Sequence, residues 1–93
     1  MKPTDRLMEL RSQVDGLDLR LLDLLNKRAQ LVVEIGALKY QNNIPMRDRS
    51  REREIVKRLV GENTGPLDEE AILKLYRVIF YQFRRLQHKD LLD

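Results

Sequence analysis

Residues 7–38 read LMELRSQVDGLDLRLLDLLNKRAQLVVEIGAL, and their apolar positions decide the fold. Leu7, Leu10, Val14, Leu17, Leu21, Leu24, Leu31, Ile35 and Leu38 keep 3-4 spacing for more than four heptads. No proline interrupts this pattern before Pro45. Thr4 or Asp5 is available to cap the start. The segment from Tyr40 to Pro45 ends the pattern, because the residue before a proline disfavours the α region. A helix over residues 5–41 is therefore expected, about 55 Å long at about 1.5 Å per residue. A globule of this size has a radius of gyration of about 12–13 Å. Such a helix needs a partner along most of its length.

Two shorter helices follow from the same rules. One is expected over residues 48–61, with Ile55, Val56 and Leu59 on its apolar side. Gly61 and the run Asn63-Thr64-Gly65-Pro66 break it. The last is expected over residues 67–90, with Asp68, Glu69 and Glu70 favourable in its first turn. Ile72, Leu75, Ile79, Phe83 and Leu86 mark its apolar face. No alternating strand pattern appears, so residues 1–93 read as one all-α domain of three helices with a long first helix.

Composition removes several classes of chemistry. The chain of 93 residues lacks cysteine and has one histidine, His88. Disulfides, thiolate metal sites, multi-histidine metal sites and cysteine nucleophiles are thereby excluded. Eighteen basic and fifteen acidic residues give a net charge of +3, with acids interleaved among the bases. That is no uninterrupted basic patch, so a nucleic-acid partner is not expected. No apolar run approaches the roughly 18 residues that span a bilayer, and residues 1–6 lack the apolar stretch of a signal peptide. The expected location is the cytoplasm.

Polar residues at apolar positions are the informative defects. Continuing the seam from Leu24 calls for an apolar residue at position 28, where the sequence has Arg28. One reading is a snorkelling arginine, its stem packed and its head in water. The other is a charge held for a ligand. At about 100° per residue, Arg28 and Lys39 fall within about 20° of one stripe, and Arg11 lies about 100° round the helix from Arg28. Arg28 and Lys39 are about 17 Å apart along the axis, close enough for long side chains to grip a benzoate-sized ligand. Arg11 lies about 26 Å from Arg28 and cannot reach the same small ligand from the same helix. On the second helix Asp48, Arg51, Glu52, Ile55 and Leu59 share 3-4 spacing, which directs Arg51 and Glu52 toward the core. Gln87 follows Phe83 by one turn beside Leu86, either entering an apolar wall or lying on the surface. Arg28, Lys39, Arg51, Glu52 and Gln87 together suggest a helical interior for a small dianion, with arginine suited to carboxylates.

These residues resemble the all-helical class of chorismate mutases over nearly the whole chain. The resemblance rests on Leu10-Arg11, Val14-Asp15, Leu17-Asp18, Leu21-Leu22, Leu24-Leu25 and Arg28, then Val33, Ile35-Gly36 and Lys39. It continues with Asp48, Arg51-Glu52-Arg53 and the late Gln87. Each motif alone is weak, and the ordered set is specific. What the resemblance implies is an intertwined homodimer whose long first helices pair, converting chorismate to prephenate by a [3,3] rearrangement. It implies that Arg28 and an Arg11 from the other chain hold two carboxylates. Lys39 and Gln87 would donate to the ether oxygen, Glu52 and the backbone near Asp48 would hold the hydroxyl, and Arg51 would support the set. Such a reaction needs no nucleophile, metal or redox cofactor. The resemblance departs at position 83, where many family members have a small or polar residue and this chain has Phe83 beside Arg84.

Two rivals follow. An isochorismate-pyruvate lyase resembles these mutases and shares the arginine and lysine framework, although Asp48, Arg51 and Glu52 favour the mutase. A non-catalytic helical dimerisation or regulatory module would leave Arg28 in the seam without a purpose. Relatives of this class also occur fused to, or regulated with, 3-deoxy-7-phosphoheptulonate synthase or prephenate-processing enzymes.

Overall fold

The computed structural model describes residues 2–92, with side chains as far as His88. These residues form three helices and no strand: α1 (Pro3–Gln41), α2 (Arg49–Glu62) and α3 (Glu69–Leu92). No helix among them is long and apolar enough to cross a membrane.

α1 begins at Pro3, so Thr4 and Asp5 lie inside the helix instead of capping it. Proline suits the first helical position because its missing N–H is one that no intrahelical carbonyl would accept. The Lys2 carbonyl accepts from the Asp5 and Arg6 N–H groups at 3.0 and 3.1 Å. At the other end, Asn43 adopts a left-handed φ of 56°. The Ile44 N–H donates to the Lys39 carbonyl at 2.8 Å, and that of Asn43 reaches the Tyr40 carbonyl at 3.4 Å. This is a Schellman closure, for which asparagine is the usual substitute for glycine. It turns the chain sharply before Pro45 and fixes Lys39 in the last turn.

Asp48 caps α2, its carboxylate accepting from the Arg51 N–H at 2.9 Å. Asp68 caps α3 in the same way, accepting from the Ala71 N–H at 2.8 Å, and so precedes the first turn. Between them Asn63 ties the turn, donating to the Leu67 carbonyl at 2.6 Å and accepting from the Gly65 N–H at 3.2 Å. α2 packs on α3. Ile55, Val56, Leu59 and Val60 are half-buried in α2, and Val56 and Val60 line a groove with Leu73 and Phe80 of α3. Tyr76 and Phe80 meet edge to face at 5.7 Å between ring centres.

The described residues divide into two units, one up to Leu31 and one from Val32 onward. In the first, the seam residues Leu7, Leu10, Val14, Leu17, Leu21 and Leu24 are all exposed. In the second, Ile72 is the one buried apolar side chain among the described residues, at 7% exposure. Leu75, Val78 and Leu86 of α3 remain exposed, as do Ile35 and Leu38 of α1.

Candidate active site

The side chain of Gln87 is the most firmly seated polar group of the second unit. It is 6% exposed, and its amide nitrogen donates to the Val32 carbonyl at 2.9 Å. That bond decides which way the amide faces, because only the NH2 end can donate to a carbonyl. One of its two N–H groups is used and the other is available. Gly36, one turn beyond Val32 on α1, makes room for it. A Cβ at Gly36 would lie 3.0 Å from the Gln87 Cγ and 3.3 Å from its Cβ. Of the two placements open to Gln87 in the sequence, the buried one holds.

Lys39 is half-buried, and its ammonium donates to the Met46 carbonyl at 3.1 Å. An ammonium has three N–H donors, so this bond orients the group and spends one of them. The Schellman closure makes the contact possible by folding residues 44–48 back along the last turn of α1. Lys39 then lines a surface depression with Ile44, Pro45, Arg47, Asp48 and Arg49. Three cations against one acid, Asp48, give that depression an affinity for anions.

Glu52 faces α3 from the first turn of α2. Its Oε2 accepts from the Arg84 guanidinium at 2.6 Å, and its Oε1 lies 3.5 Å from that of Arg47. The Arg84 and Glu52 side chains are 24% and 20% exposed. This is a short, partly buried ion pair between two helices, stronger than a solvated surface pair.

Arg51 departs from its expected burial. It is exposed and pairs with Glu54 along the helix surface at 3.0 Å. The reason is angular. The half-buried stripe of α2 is Glu52, Ile55, Val56, Leu59 and Val60, and Arg51 lies about 100° from its centre. Its backbone N–H still serves the region by holding Asp48. In the first unit, Arg28 is half-buried and Arg11 is exposed.

Lys39, Asp48, Glu52 and Gln87 are thus placed within the second unit, and Arg47 and Arg84 hold Glu52. The sequence pattern did not single out Arg47 and gave Arg84 no partner. It also missed the Val32 carbonyl and Gly36 as the seat of Gln87. Gly36 did leave a signal: a glycine inside a helix costs about 1 kcal/mol relative to alanine and so calls for a packing reason.

Comparison with known proteins gives a consistent result. The family described as chorismate mutase type II matches residues 10–88. The bifunctional chorismate mutase/prephenate dehydratase of Aquifex aeolicus is 36% identical over 89 residues, covering 91% of this chain and 25% of the relative. The chain therefore spans about a quarter of the length of that relative. The chorismate mutase of Thermus thermophilus (form II) superposes with a TM-score of 0.87 at 38% identity, covering 89% of this chain and 94% of the other. The Helicobacter pylori chorismate mutase, solved in complex with prephenate, gives 0.89 at 32% identity, covering 96% and 97%. Matched from the start of the Leu10-Arg11 signature to just past Gln87, the chain belongs to the type II chorismate mutase family.

Proposed function

We propose that this chain converts chorismate to prephenate, an isomerisation in which one carbon–oxygen bond breaks as one carbon–carbon bond forms within the same molecule. The observation that carries the reading is Gln87, a neutral donor whose side chain is buried with its orientation set by the Val32 carbonyl. Electron density gathers on the ether oxygen as its bond to carbon lengthens. Donors already aimed at that oxygen stabilise the transition state without reorganising. In this reading the second N–H of Gln87 and a remaining N–H of Lys39 supply them. Glu52 accepts from the ring hydroxyl, with the backbone near Asp48 beside it. Arg51 contributes through the N–H that holds Asp48.

Two carboxylates must also be gripped so that the reactive conformer is populated. We assign them to Arg28 and to Arg11 from a second copy of the chain, which makes the active species a two-fold homodimer. Support comes from the exposed seam of α1 and from the axial distance that separates the two arginines on one helix. Fusion or association with a prephenate-processing enzyme fits the bifunctional relatives. Association with 3-deoxy-7-phosphoheptulonate synthase rests on the family resemblance alone.

The test is to follow loss of chorismate absorbance with the purified chain and to identify the product. Prephenate is expected. No prephenate at micromolar protein would remove the proposal, and pyruvate with salicylate from isochorismate would put the lyase in its place.

A further inference from the structure

Glu52 and Arg84 lie on different helices, 32 positions apart, and meet at 2.6 Å. A glutamate side chain has three rotatable bonds, and its carboxylate samples many positions unless its end is tied. Arg84 ties it on Oε2, while Arg47 stands 3.5 Å from Oε1. A carboxylate has about four lone-pair sites. These contacts leave acceptor capacity on Glu52 and restrict where it points. The neighbouring arginine does not duplicate the arrangement, since Arg85 is exposed and donates to Gln82 at 2.8 Å. Arg84 also spends its charge on Glu52, so the pair as a whole adds little attraction for a dianion.

We propose that Arg84 is a positioning residue: it holds the Glu52 carboxylate in the orientation that accepts the hydroxyl hydrogen of chorismate. The inference rests on the chorismate mutase reading of the site. Ordering an acceptor before substrate arrives removes a cost that binding would otherwise bear. Arg84 touches no reacting atom, and its effect passes entirely through Glu52.

A chorismate analogue that lacks the ring hydroxyl separates this role from a general electrostatic one. Both compounds carry the same two carboxylates, so any change in long-range attraction cancels in the comparison. Arg84→Ala is expected to lower kcat/KM for chorismate by about 10- to 100-fold, the size of a lost hydrogen bond to a charged group. Its loss on the analogue should be smaller by about tenfold. Arg84→Lys keeps the charge but moves the donor, and should recover most of the chorismate rate. Equal losses on the two compounds would overturn the assignment and make Arg84 a direct carboxylate contact or a structural residue. If circular dichroism shows Arg84→Ala unfolded, the same pair of substrates is run on Arg84→Gln, which keeps much of the side chain and loses the charge, and equal losses there again overturn it. Wild-type protein inactive on chorismate would instead remove the underlying reading.

Discussion

Gly36 and Gln87 approach so closely that a Cβ on Gly36 would stand 3.0 Å from the Gln87 Cγ. Gly36→Ala therefore sets two effects against each other. Alanine gains about 1 kcal/mol of helix propensity. Crowding of a well-packed contact costs about 1–3 kcal/mol, and the glutamine must shift by a few tenths of an ångström. The expected result is a net stability loss of up to about 2 kcal/mol, read by thermal unfolding. Activity is expected to fall about tenfold because the donor is displaced. A variant that is both more stable and fully active would show that Gln87 tolerates the shift.

Gln87→Glu tests the donor itself. Placed beside the Val32 carbonyl and out of water, the new carboxyl group favours its protonated form, and its pKa rises above the usual value of about 4.3. Only that form can donate, so activity should be low near neutral pH and recover in acid. Stability follows the same sign. The folded state binds the proton more tightly than the unfolded state does, so the variant is most stable below about pH 4.3 and loses stability as pH rises through the elevated pKa. A pH–rate profile with the shape of the wild-type one would take Gln87 out of this role.

Asp48 closes the first turn of α2 through a side-chain acceptor, which aspartate and asparagine provide about equally well. Asp48→Ala should cost about 1 kcal/mol of stability and Asp48→Asn much less. Chemical denaturation of the two variants compares them directly. Equal losses would mean that the charge, and not the acceptor, stabilises the helix start.

The shared site predicts recovery of activity between two dead proteins. Arg11→Ala and Arg28→Ala, each nearly inactive, are unfolded together and refolded. Random pairing makes half of the dimers mixed, and each mixed dimer has one site with both arginines and one with neither. About one quarter of wild-type activity should return under two-fold symmetry. Activity that stays at the level of the separate variants would argue against a site built from two chains, and a monomer in sedimentation would refute it.

Helix content was legible because apolar spacing in α1 and α3 is long and regular, Pro45 marks the end of the first helix, and Gly65-Pro66 separates the second from the third. Ends were less so. Pro3 starts α1 earlier than a capping residue would suggest, and Asp68 serves as a cap where it was expected in the first turn. Within the site, Glu52 and Gln87 could be read as inward because each continues an apolar row. Arg51 shares a spacing with that row yet lies at its edge, where about 100° of rotation separates a half-buried carboxylate from an exposed guanidinium. Arg84 and Arg85 could not be told apart at all. Which of two adjacent arginines reaches Glu52 depends on the axial register of α3 against α2, a quantity set by packing between segments and absent from either segment's own pattern.

The α1 side chains from Leu7 to Leu24 are left uncovered by their own chain, so in the proposed dimer order in that part of the molecule becomes a matter of abundance. In the proposed dimer, folding and association are one equilibrium governed by mass action. Each tenfold dilution then weakens the assembly by about 1.4 kcal/mol, and the thermal midpoint falls with it. At concentrations below the dissociation constant, paired helices grow as the square of the amount of chain, and turnover grows with them. Doubling synthesis of the chain would there raise flux about fourfold, a gain control that needs no effector.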